Sequence, residues 1–244
     1  LQQDASKKLG FTTKKTMIVA QQLYEGIDIK DEGTVGLITY MRTDSTRVSR
    51  ESIDAAKEYI LNNYGEEYFN GGKDYSKNKK NSQDAHEAIR PTSVSRNPKE
   101  IESSLTKDQY RLYKMIWDRF VGSQMAPAKY DTLIVNILNY EYLFRATGSI
   151  LVFPGFLKVY SSFDEEEKDK KLPNLSEGDI LNLIEILPKQ HFTQPPSRYS
   201  ESSLIKAMED LGIGRPSTYA PTISTILARD YVFLEKKLFG YFSQ

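Results

Sequence analysis

One run constrains this chain more than any other: Gly36-Leu37-Ile38-Thr39-Tyr40-Met41-Arg42-Thr43-Asp44-Ser45-Thr46. Leu37 and Ile38 have strand character, and Gly36 punctuates the start. If the extended conformation continues past Tyr40, the side-chain period of two puts Tyr40, Arg42 and Asp44 on one face. That face would carry a phenol, a permanent cation and a carboxylate, a set that suits a tyrosine attacking a phosphate. A phenol titrates near pH ~10, so forming the phenolate at neutral pH costs about 4 kcal/mol. Such a nucleophile needs a nearby cation or base, and phosphoryl transfer needs donors on the non-bridging oxygens. A guanidinium meets both needs, because it binds phosphate bidentately and keeps its charge. The plainer alternative is packing: the chain has 16 tyrosines, and most are amphipathic filler.

Around this run the periodicity is mostly helical as far as Met125. Leu1 to Leu9 reads as a helix stopped by Gly10, and a second runs from Thr13 to Glu25 with Met17, Ala20 and Tyr24 on one side. Ile27 to Thr34 reads as a loop or short hairpin leading into the Tyr40 strand. A helix from Arg50 to Tyr64 places Ile53, Ala56, Ile60 and Tyr64 at helical spacing before Gly65. Residues 70 to 83 are rich in Asn, Gly and Lys (Lys73, Lys77, Lys79, Lys80) and read as a solvated loop. Asp84 to Ile89 is compatible with a short helix closed by Pro91, with His86 and Arg90 sharing a face if the helix extends that far. Thr106 to Met125 is the clearest helix. Thr106 and Gln109 make a capping-box pattern, and Tyr113, Ile116, Trp117, Phe120 and Val121 form the apolar stripe that makes Trp117 a core residue.

After Ala126-Pro127-Ala128 the pattern turns strand-like: Thr132 to Leu138, Tyr142 to Thr147, Leu151 to Tyr160 and Ile180 to Leu187, broken by Gly148, Pro154-Gly155 and a charged tip at Asp164 to Lys171. His191 falls in a connector near Pro195-Pro196. From Ser200 the helical period returns, with Leu204, Ala207, Met208 and Leu211 on one face. Gly214-Arg215-Pro216-Ser217 is a turn, a helix carries Tyr219, Ile223, Ile226 and Leu227, and Tyr231 to Phe242 reads as a hairpin turning near Lys236. Helix, turn, helix, hairpin is a winged-helix order. The expected class is α+β multidomain: a mainly helical unit with the tyrosine at 1–126, a small β-rich unit at 127–195, and a partial winged-helix-like unit at 196–244.

Charge narrows the function less than the motifs do. Lys plus Arg equals Asp plus Glu at 33 each, so any nucleic-acid contact must come from local arrangement. The absence of cysteine excludes disulfides and Cys-ligated zinc. No apolar run approaches the ~20 residues of a membrane span, and no signal-peptide pattern opens the chain. The ends read as those of an excised piece of a longer protein.

The run from Ile38 to Ser49 resembles the active-site segment of type IA DNA topoisomerases. Two further stretches resemble that family in the same order: Ser82-Gln83-Asp84-Ala85-His86-Glu87-Ala88-Ile89-Arg90-Pro91-Thr92 and Gly212-Ile213-Gly214-Arg215-Pro216-Ser217-Thr218-Tyr219. Met41 and the Ser-Thr-Arg-Val-Ser continuation favour the bacterial topoisomerase I branch over reverse gyrase and topoisomerase III. The resemblance implies that Tyr40 cleaves one DNA strand through a 5′-phosphotyrosine link, with strand passage and resealing that need no ATP and that relax negative supercoils. It implies Mg²⁺ held by an N-terminal Toprim domain of the same parent chain, and no metal site here, since no Asp-x-Asp-x-Asp run is present. It also implies a single-stranded DNA partner, no membrane partner, a monomer, and a cytoplasmic location at bacterial DNA.

Roles follow residue by residue. Arg42 would stabilise transition-state charge. Asp44 would either orient Arg42 or cap the following helix. The resemblance implies that His86 supports the cleavage site through a DNA phosphate or the acidic network; Arg90 would bind phosphate or support the site, or Glu87 and Arg90 would simply pair with each other or brace the loop. It implies DNA-backbone contacts for Arg215 and Thr218 at a helix start, where free N–H groups attract anions; Ser217 reads as the helix cap. The competing class is a non-enzymatic winged-helix DNA-binding module, in which Tyr40 would be a packed aromatic.

Overall fold

The computed structural model describes residues 1–73, 75, 86–160 and 172–240. Lys77, Lys79, Lys80, Ser82 to Ala85, the charged tip at Asp164 to Lys171 and the last residues of the final hairpin lie outside that description. Among the described residues the fold is α+β, with helices gathered around one large core and three separate two-stranded antiparallel sheets.

The chain opens with α1 (Gln2–Asp4), which widens into a π-helical turn at Ala5–Leu9 and ends on Gly10, whose φ of 67° only glycine adopts without cost. Helix α2 (Thr13–Glu25) starts on a Thr12 cap. Its buried stripe is Thr16, Val19, Ala20 and Leu23. The expected face of Met17, Ala20 and Tyr24 is therefore rotated: Tyr24 stands at the helix end with its ring exposed. The hairpin β1 (Ile27–Ile29) and β2 (Gly33–Val35) follows, then α3 (Arg50–Tyr64) and α4 (Lys107–Gln124). The Thr106–Gln109 capping box is formed as the sequence anticipates. Tyr113, Ile116, Trp117, Phe120 and Val121 are all buried, and the Trp117 indole donates to Val94 O at 3.0 Å.

The β region departs from expectation. Gly148 does not break a strand; it pairs with Leu133 inside one long hairpin of β3 (Lys129–Asn139) and β4 (Tyr142–Phe153). The third expected strand stops at Phe153, because Pro154-Gly155 turn the chain into the single helical turn α5 (Leu157–Tyr160). Ile180 to Leu187 forms no strand, and Ile180 and Ile184 are almost fully exposed. Strand propensity there has no neighbouring backbone to pair with among the described residues.

Helix α6 (Glu201–Asp210), a turn, α7 (Tyr219–Ala228) and a hairpin of β5 (Phe233–Glu235) and β6 (Leu238–Gly240) complete the chain in the expected order. Their side chains Ile205, Met208, Tyr219, Ile223 and Phe239 make a second small core, separate from the large one. The α7 cap differs from expectation. Thr218, not Ser217, is the cap residue, and its hydroxyl folds back on the Arg215 backbone instead of capping the helix.

Candidate active site

The Tyr40 segment is held by backbone rather than by a sheet. Leu37 N donates to Leu23 O (2.7 Å), tying the segment to the end of α2. Ile38 forms an isolated antiparallel bridge with Pro91. Thr39 N donates to Arg90 O, Arg90 N donates to Thr39 Oγ1, and Thr92 N donates to Leu37 O. The first and second motifs are thus laced together through extended backbone. The expected strand shrinks to one bridge, since the chain bends at Met41 and Arg42. The short helix expected from Asp84 to Ile89 is likewise absent over its described part, 86–89, where the chain is extended and bent: Ala88 N donates to Arg47 O, and the Arg90 amide and carbonyl are both taken by Thr39.

This lacing sets two aromatic rings against the tyrosine. Tyr40 is half-buried; its ring lies 5.2 Å from the His86 ring at a 32° tilt, and 5.6 Å from Tyr24, edge on. Tyr24 was not foreseen as a site residue, though its place at the end of α2 just before the Tyr40 segment offered a signal. Gly36 is required here: a Cβ would stand 2.7 Å from Tyr24 O.

The polar residues divide. Met41 is buried and anchors the segment, while Arg42 and Asp44 are exposed. Arg42 has no ion-pair partner among the described residues, Asp44 included, so this guanidinium is open to an incoming anion. Asp44 does not cap the following helix; Ser49 does, accepting from Ser52 N. Arg90 is committed to Glu87 by two hydrogen bonds to one oxygen (2.9 and 2.6 Å) and to Pro91 O, which makes it a brace of the His86 loop.

The third motif faces the first across a groove of about 800 Å³. Met41, Thr43 and Asp44 of the first motif and Arg215, Pro216 and Tyr219 of the third line it together with Gln2 and Arg119. Burial pushes the Tyr219 phenol up, with the charges of Glu209 and Asp44 adding to the shift and Arg215 opposing it. In the loop, Arg215 N donates to Thr218 Oγ1 (2.8 Å), and among the described residues the Arg215 side chain bonds only its neighbour, Gly214 O. The loop is therefore pre-shaped with its guanidinium exposed.

Nothing in this set fits a bound metal: no group of three or more His, Asp or Glu gathers among the described residues. No helix among them is long and apolar enough to cross a membrane. The arrangement can offer a phenol, an imidazole beside it and two exposed guanidiniums to a phosphate chain.

Comparison with known proteins points the same way. Residues 1–240 match the family model described as DNA topoisomerase. Among solved structures the chain is similar to full-length topoisomerase I from Thermotoga maritima, at 40% identity and a TM-score of 0.86. That likeness covers 98% of this chain and 38% of the Thermotoga protein, so the chain spans well under half its relative's length.

Proposed function

This chain belongs to the bacterial type IA DNA topoisomerases, and from that premise we propose that it carries the nucleophile and one face of the DNA gate of a longer enzyme. The Tyr40 oxygen attacks a backbone phosphorus of one DNA strand. The P–O3′ bond breaks, a 5′-phosphotyrosine ester forms, the phenolic proton leaves, and the departing 3′ oxygen gains one. Resealing is the reverse, with the 3′-hydroxyl as attacking group, so no ATP is needed. Passage of the other strand between the two steps relaxes negative supercoils.

The observation that carries this reading is the lacing of Thr39 to Arg90, which seats Tyr40 against His86. A winged-helix module that only binds DNA has no use for that arrangement. Arg42 neutralises charge on the attacked phosphate, and His86 contacts the phosphate or passes a proton beside the phenol. Arg215, with Thr218 shaping its loop, holds a neighbouring phosphate of the strand across the groove. Arg90 acts through Glu87 on the His86 loop, and Asp44 sits at the groove wall. Mg²⁺ belongs to the Toprim portion of the parent chain. Single-stranded DNA is the partner, bound through phosphates and aromatic faces and weakened by salt. The enzyme works as a cytoplasmic monomer, and the 244 residues by themselves do not relax supercoils.

The test is Tyr40→Phe in the parent enzyme. The covalent adduct with single-stranded DNA should vanish while DNA binding persists; an undiminished adduct rejects Tyr40 as the nucleophile.

A further inference from the structure

Helix α2 connects the two halves of the proposed site. At its C-terminal end it holds the nucleophile segment, through Leu37 N to Leu23 O and the Tyr24 ring against Tyr40. Along its side it packs on α7, the helix that follows the Arg215 loop. Its N-terminal end is closed by a residue from the far unit: the Glu201 carboxylate accepts from Thr13 N at 2.6 Å, and both residues are buried. Thr13 N–H is one of the orphan donors of the first turn, and an anion there also meets the positive end of the helix dipole. Glu201 is itself fixed as the first residue of α6 by the Ser200–Ser203 capping box. The carboxylate therefore joins two helix starts, 188 residues apart in the chain.

Two further side-chain hydrogen bonds join the tyrosine-bearing body to α6 and the Arg215 turn. Gln2 Nε2 donates to Pro216 O (3.1 Å), and Gln3 Nε2 donates to the exposed Glu209 carboxylate (3.0 Å). The Gln2 Oε1 atom is buried without a hydrogen-bond partner. The Glu201–Thr13 contact is the one that is both charge-assisted and shielded from solvent.

We infer that Glu201 is a positioning residue: by capping α2 from the opposite unit, it sets where the Arg215 loop stands relative to Tyr40. The inference rests on the reading of Tyr40 as nucleophile and Arg215 as a phosphate contact. Glu201 touches no DNA. It makes one strand able to reach both sites at once, and its release lets the two units part.

The experiment measures adduct formation by the parent enzyme against single-stranded oligonucleotide concentration. Glu201→Ala should raise the half-saturating concentration at least fivefold and leave the adduct level at saturation within twofold. Glu201→Gln, which keeps an acceptor facing Thr13 N, should recover most of that loss. In an Arg215→Ala background, Glu201→Ala should add less than twofold, because both changes act through one contact. A wild-type titration curve for Glu201→Ala, or an effect that multiplies with that of Arg215→Ala, overturns the proposal. If the alanine variant loses its cooperative thermal transition, Glu201→Asp carries the same comparison, retaining the charge one methylene short of Thr13. No adduct from the unsubstituted enzyme would instead sink the nucleophile reading, a separate outcome.

Discussion

The body formed by residues 1–125 and the β3–β4 ribbon were both legible as apolar patterns, yet they end in opposite states. In the body, apolar side chains from α1 to α4 close on each other, and Leu23, Leu37, Ile60, Leu112, Tyr113 and Val121 are fully buried. In the ribbon both faces stay apolar and open: Leu133 and Phe144 on one face, Ile134 and Leu138 on the other, are all exposed. A two-stranded ribbon is at best marginal by itself in water. This one joins the body at its base, where Phe153 meets the Tyr68 ring at 4.8 Å, Phe156 N donates to Ala126 O and Val159 enters the large core. The contrast separates a unit that completes its own core from one whose apolar side chains stay exposed among the described residues.

The sharpest way to break that contrast is paired truncation in the 244-residue chain. Leu112→Ala should cost about 2–5 kcal/mol of unfolding free energy by denaturant titration. Leu138→Ala, at a site 75% exposed, should stay within about 0.5 kcal/mol. Equal losses would mean that the ribbon is packed after all. The joint between the regions comes next. A Cβ on Gly155, where φ is +47°, would stand 2.4 Å from Ala126 O and 2.5 Å from Pro127 O, all backbone. Gly155→Ala should therefore cost about 1–3 kcal/mol in the same titration, and a neutral result would show that the base of the ribbon is free to shift.

The smallest effect is a pH dependence confined to the body. Burial pushes the Asp118 carboxyl above its ordinary 3.8, partly offset by the Lys114 hydrogen bond and charge. The folded state then binds the proton more tightly than the unfolded state. The stabilisation is complete below pH 3.8 and is lost as pH rises through the folded value. Asp118→Asn should flatten that decline in a series of thermal midpoints from acid to neutral pH; an unchanged slope would assign it to other groups.

Much of the body was readable because its signals are local. The Thr106–Gln109 box, the α4 stripe, the Ile53–Ala56–Ile60 face and the stop at Gly10 each depend on residues within a few turns. The order helix, turn, helix, hairpin near the C-terminus was readable for the same reason. Errors fell where a distant partner decides. Ile180 to Leu187 has strand residues but no strand beside it, and Asp44 and Ser217 have capping chemistry but stand outside the caps. Glu201 could not be singled out at all, since nothing near it in sequence announces a bond to Thr13.

By itself, then, the sequence determined the three motif segments, their order and the main helices around them, because helix caps, apolar periods and family likeness are properties of neighbouring residues. Only the tertiary structure decided that Thr39 would hold Arg90, that the Tyr40 ring would meet those of Tyr24 and His86, and that Arg215 and Asp44 would line one groove. Those pairings join residues tens to hundreds of positions apart. They are selected by which backbone donors and apolar faces remain unsatisfied once the local elements have formed.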